Sequence, residues 1–155
     1  MIRNGTYTLY KKKEYRIGES NFENQPIRYW LKSMDPVDME NGFHVYERPK
    51  VIVINGIEYE LPDRDKNKPK IYVKDITSSE IDEVYYVNTY AIYHGEKCSV
   101  EGEDSKHYFL RVEQRSIADK LNFDIRDRDD FVKTVAKQDV EKIFEEKTPM
   151  PNYFK

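Results

Sequence analysis

The most sharply patterned stretch of the chain is Val51-Ile52-Val53-Ile54, then Asn55-Gly56, then Ile57-Glu58-Tyr59-Glu60-Leu61. Two β-prone runs separated by Asn-Gly predict a hairpin, because this dipeptide supplies the positive φ angles of a type I′ turn. Folding about that turn sets Ile52 opposite Tyr59 and Ile54 opposite Ile57, while Val53 faces Glu58 and Val51 faces Glu60. One face is then apolar and the other mixed. A two-stranded ribbon is marginal in water, so the apolar face is expected to pack on a barrel or on a partner. The segment that follows, from Pro62 to Pro69, reads as an exposed polar loop.

Comparing the chain with itself explains where this hairpin comes from. Thr6-Tyr7-Thr8-Leu9-Tyr10 followed by Tyr15-Arg16-Ile17 matches Thr89-Tyr90-Ala91-Ile92-Tyr93 followed by Cys98-Ser99-Val100. Tyr29-Trp30-Leu31 matches Tyr108-Phe109-Leu110, and Gly42-Phe43 matches Asn122-Phe123. Tyr72-Val73-Lys74-Asp75-Ile76 then pairs with Phe131-Val132-Lys133-Thr134-Val135, and Glu80 to Tyr85 with Asp139 to Phe144. The agreeing positions are mostly apolar, as expected when two copies keep a core while their surfaces drift. The offset falls by about twenty residues between the Phe43 and Tyr72 matches, so the first copy carries an insertion of that length within Glu47 to Lys70. The hairpin lies inside it.

Each copy reads as strand, turn, strand, strand, a helical or irregular connector, and two closing strands. The second connector, Ser116 to Leu121, has the pattern of one helical turn, whereas Pro36 restricts any helix in the first. Thr77-Ser78-Ser79-Glu80 and Ala136-Lys137-Gln138-Asp139 each suit a single 3₁₀ turn between the closing strands. The expected organisation is a first β module over 1–87 with its inserted hairpin at about 48–69, a second over 88–147, and a C-terminal tail over 148–155.

This order of elements, ending in the strand-turn-strand Tyr72-Val73-Lys74-Asp75-Ile76 to Ile81-Asp82-Glu83-Val84-Tyr85, resembles the Src-homology-three-like small barrels over most of each copy. The resemblance implies a mainly β fold of two related small β-barrel-like modules in tandem, with little helix. The ALYDY-type motif and the Trp pair of the signalling family are missing, so proline-peptide binding is not carried over. In size and style the chain also resembles small tyrosine-rich immunity proteins of Gram-positive bacteria, which would imply a compact binder that neutralises a toxin.

Composition sharpens the picture at three points. Thirteen Tyr and seven Phe among 155 residues make aromatic rings the main source of buried area and weigh against disorder despite the 35% charged content. Lys and Arg against Asp and Glu number 14 to 12 through Thr77 and 12 to 17 afterwards, too even for a concentrated phosphate-binding face. The single cysteine, Cys98, excludes an internal disulfide and sits in an alternating run as a buried small hydrophobe. With no apolar signal region after Met1 and no membrane-spanning apolar run, a cytoplasmic location is expected.

No motif announces catalysis, a cofactor or a metal. His44, His94 and His107 lack metal-ligand spacing and read as surface or edge residues. Asp63, Asp65 and Asn67 imitate the start of a calcium loop, but Lys68 and Lys74 stand where its Gly and closing Glu belong. The sign-alternating run Asp124 to Asp130 reads as a solvated, locally paired surface. Tyr10, Lys11, Lys12, Lys13, Tyr15 and Arg16 interleave rings and cations as a single-strand nucleic-acid binder would. The matching turn of the second copy, His94-Gly95-Glu96-Lys97, does not repeat this feature.

Three function classes follow. The first is a non-catalytic protein-binding module, an intracellular inhibitor or immunity protein whose partner, a toxin or an enzyme, meets the hairpin residues Val51, Val53, Asn55, Gly56, Glu58, Tyr59 and Glu60. The second is a nucleic-acid-binding double barrel using the Lys11-Lys12-Lys13 turn. The third is an enzyme whose polar residues, Asp, Glu, His or Tyr from both modules, converge only in three dimensions, in a cleft between the modules.

Overall fold

A computed structural model describes residues 1–21, 23–63 and 67–154. Three two-residue turns set its hairpins: Lys11-Lys12 with φ of 48° and 66°, Asn55-Gly56 with 51° and 79°, and His94-Gly95 with 46° and 79°. Both central residues at positive φ give the strands the right-handed twist that tight hairpins need. Around these turns run β1 (Gly5–Tyr10), β2 (Lys13–Ser20), β3 (Arg28–Ser33), β4 (His44–Val45), β5 (Val51–Ile54), β6 (Ile57–Glu60) and β7 (Tyr72–Ile76). There follow β8 (Val84–Tyr93), β9 (Glu96–Glu103), β10 (His107–Val112), β11 (Asp124–Asp127), β12 (Asp130–Ala136) and β13 (Lys142–Pro149). Among the described residues the chain is mainly β, with one seven-residue helix, α1 (Arg115–Leu121), and three 3₁₀ segments, Pro36–Asn41, Ser78–Glu80 and Lys137–Asp139. The last strand runs to Pro149, two residues into the segment expected to be a tail.

Two compact units divide the chain, an N-terminal unit of Thr8–Asp82 and a C-terminal unit of Glu83–Lys155 with Met1–Tyr7. Their strand orders correspond: β1-β2-β3-β7-β4 in the first and β8-β9-β10-β12-β11 in the second, with β13 on the other edge of β8. Eleven strands lie in such ladders, and β5 and β6 form a hairpin of their own. The ladders are open, which corrects the barrel expectation. Among the described residues no pairing returns β4 to β1 or β11 to β13, so neither ladder closes on itself.

The connectors differ as their sequences require. Pro36 opens a 3₁₀ segment whose N-cap, Asp35, accepts from the Val37 amide, and Gly42 at φ 90° ends it. In the second copy Ser116 to Leu121 continues as α1 and ends at Asn122 in the left-handed region. Between the closing strands the Thr77 amide donates to Glu80 Oε2 at 2.8 Å, fixing the short 3₁₀ turn before Ile81. Alternate strand residues point into each core. Leu31 and Leu110, matched by the repeat, are both fully buried. Around Leu110 pack Tyr93, Cys98, Val100, Val112, Ala118 and Phe131.

Candidate functional site

The outer face of the N-terminal unit is built from the other half of that alternation. On β3, Leu31 and Ser33 point inward, so Arg28, Trp30 and Lys32 point outward. Pairing with β7 sets Val73 beside Lys32 and Asp75 beside Trp30, and pairing with β4 brings His44 next to Val73. Opposite Trp30 on β2 stands Gly18. A Cβ there would lie 2.3 Å from the indole, so only glycine lets this ring lie against the strand. These side chains, with Ser20, Tyr46 and Ile71 at the rim, line a groove of about 480 Å³. That volume falls in the range of small-ligand sites. Arg28 is paired with Asp75 across the ladder.

The hairpin forms in the expected register, Val51 with Glu60, Ile52 with Tyr59, Val53 with Glu58 and Ile54 with Ile57. Its apolar side chains are uncovered on both faces: Ile54, Ile57 and Val53 are 52%, 58% and 63% exposed, and Tyr59 is 47% exposed. The apolar face is therefore left about half open by the described chain, with Ile52 at 37% exposed. Asn55, Gly56, Glu58 and Glu60 are exposed as well, so all seven residues singled out in the sequence share one open ribbon.

The Lys11-Lys12-Lys13 turn fares differently. Tyr10 and Tyr15 are core residues, 6% and 4% exposed, and Tyr15 stacks on Phe43 with ring centroids 5.0 Å apart. Rings buried this way offer no face to a base. Lys13 reaches inward to Asp38 Oδ2 at 2.9 Å, while Lys11, Lys12 and Arg16 stay exposed.

Asp38 is a charged group at the centre of the N-terminal core that the sequence reading missed. It is fully buried and accepts hydrogen bonds from Tyr15 Oη at 2.5 Å, Ser33 Oγ at 2.5 Å, Lys13 Nζ at 2.9 Å and Asn41 Nδ2 at 3.3 Å. Burial pushes its pKa up, but the donors from Ser33, Tyr15, Lys13 and Asn41 together outweigh that and bring it down to about 2. Burial and the same carboxylate push the Tyr15 phenol above its ordinary value. Every buried side-chain polar atom among the described residues has a partner. The carboxylate is sealed and saturated, an arrangement suited to holding the 3₁₀ connector in place rather than to meeting a substrate.

The remaining candidates are placed plainly. His94 sits in its turn against Tyr93, His107 contacts Asp104, and His44 lines the groove. Cys98 is buried, and burial followed by the Glu96 charge pushes its thiol up to about 11. The run Asp124 to Asp130 pairs locally: Arg126 binds Asp130 and Glu101, and Arg111 binds Asp130 at 2.6 Å. Of the calcium-like set, Asp65 lies outside the described residues. Among the described residues no three His, Cys, Asp or Glu side chains converge as metal ligands, and no helix is long and apolar enough to cross a membrane.

Fold and surfaces together define a strand-dominated chain of two matching units, one of them decorated with a ribbon and a groove. The chain belongs to the family described as Uncharacterised conserved protein UCP033725, whose model matches residues 2–152. No curated protein and no solved structure matches it.

Proposed function

We propose that this protein is a non-catalytic binding module that captures another protein through the β5–β6 hairpin, in the manner of an inhibitor or immunity protein. The observation that carries the reading is the ribbon itself, with one apolar and one mixed face and its apolar side chains left about half exposed by the described chain. A hairpin of this kind gains stability by adding its edge to a partner's sheet or by seating its side chains in a groove. Burying the exposed half of Ile54, Ile57 and Val53 contributes about 1 kcal/mol each. The second copy supports the assignment, because its β11 passes to β12 through the short Asp127–Asp130 turn and the strand order is the same without the insertion. The strand order shared by the two units fits a scaffold that presents loops and edges, and the compartment that goes with this reading is the cytoplasm.

The test is affinity capture from host cells with three baits: the intact chain, a variant lacking Arg48 to Lys68, and the double variant Ile54→Lys/Ile57→Lys. A protein retained by the intact chain and lost with both variants, each still folded by circular dichroism, supports the proposal. A partner retained by the deletion variant overturns it. Light scattering over a concentration series separates a foreign partner from hairpin-mediated pairing of two copies.

A further inference from the structure

The groove on the N-terminal unit has a counterpart on the C-terminal unit, and comparing them shows what the groove lacks. Where Trp30 crosses Gly18, Phe109 crosses Gly102, whose added Cβ would meet the ring at 3.3 Å. Lys32 corresponds to Arg111, one strand position outward from the matched leucine in each copy. Arg111 is neutralised by Asp130 and Glu113, and the neighbouring Arg126 by Glu101 and Asp130. The C-terminal face is thus electrostatically self-satisfied. Around the N-terminal groove Arg28 has such a partner, Asp75. Lys32 and His44 line the groove with no carboxylate partner among the described residues, beside the indole and Tyr46.

We infer that this groove is a binding site for a small ligand that joins a flat ring to an anionic group, the ring lying on Trp30 and the anion meeting Lys32 and His44. Gly18 makes the ring platform possible by letting the indole lie against β2. A cation beside an aromatic floor suits such a ligand, since the ring is held by stacking and dispersion while the charged end is held by charge-assisted hydrogen bonds. The groove's volume of about 480 Å³ fits one ligand of mononucleotide size. This site is separate from the hairpin and does not depend on what the hairpin captures.

Trp30 is the chain's single tryptophan, so its fluorescence reports the groove alone. The probes are adenosine 5′-monophosphate and 4-hydroxyphenylacetate, each a ring with an anion, against adenosine and inorganic phosphate as the separate halves. The expected result is saturable quenching by at least one ring-plus-anion probe, on the order of tenfold tighter than by either half alone, and weakened at high salt. Lys32→Gln, at a half-buried position, and His44→Gln, at an exposed one, each confirmed as folded by circular dichroism, are each expected to weaken binding several-fold. No saturable change with any probe, equal affinity for adenosine alone, or undiminished affinity in both variants overturns the inference.

Discussion

The two units share one strand order yet fill their cores by opposite means. At four positions matched by the repeat the C-terminal unit has Cys98, Val112, Ala118 and Leu121, an apolar set close around Leu110. The N-terminal unit has Tyr15, Ser33, Asp38 and Asn41, a carboxylate wrapped in donors with Lys13 closing it from outside. The comparison teaches that a small open sheet accepts either solution, provided every polar atom is satisfied. It also assigns the cost, since the apolar set tolerates the loss of one member by partial collapse, whereas the polar set leaves several buried groups unpaired at once.

Asp38→Ala is the most direct way to break the comparison. It removes the acceptor shared by Ser33, Tyr15 and Lys13 and is expected to cost about 3 to 5 kcal/mol in urea unfolding. Ser33→Val/Asp38→Ala, which installs the residues of the matched positions, is expected to cost less than the single change because it removes a stranded donor along with the acceptor. A single-variant loss below about 1 kcal/mol would show that the network does not hold the connector.

Acid comes next in size. The Asp38 carboxyl is lowered from 3.8 to about 2, so its contribution is fully present above the unfolded value and is lost as pH falls through the folded one. About 2 kcal/mol should therefore disappear between roughly pH 4 and pH 2. Asp38→Asn should lack that component in a pH series of melting curves, and an unchanged acid profile would contradict the assignment.

The smallest effect sharpens the outer faces. Gly18→Ala places a methyl into the Trp30 ring and is expected to cost about 1 to 2 kcal/mol while shifting the tryptophan emission. Gly102→Ala meets Phe109 at 3.3 Å, and the roughly half to one kcal/mol that alanine gains over glycine in a strand offsets the crowding, leaving stability nearly unchanged. Equal effects at both glycines would mean that the two faces are interchangeable.

The elements that a local signal specifies were legible in the sequence. The Asn55-Gly56 turn, the register of β5 on β6, the α1 pattern and the short 3₁₀ turns each follow from a few neighbouring residues. Sheet closure was not, because an edge strand and a closed one carry the same alternation. Asp38 was missed because Asp35-Pro36-Val37-Asp38 reads as a polar connector, and only the fold brings Tyr15 and Ser33 to it from two strands. The groove was missed for a related reason. Trp30 opposite Gly18 and Asp75 is a fact of register, and it is invisible until β2, β3 and β7 are paired.

The point at which the insertion enters has a bearing on how such a chain changes over generations. Val45 pairs with Tyr72, and the Tyr46 amide donates to the Ile71 carbonyl at 2.8 Å, so both ends of the inserted segment are clamped side by side. Closure entropy grows only logarithmically with loop length, and doubling the segment costs about 0.6 kcal/mol. The β4–β7 junction is therefore a port at which segments can lengthen, shorten or be exchanged while the sheet beneath keeps its register. New recognition can be grafted there without asking the duplicated scaffold to evolve at all.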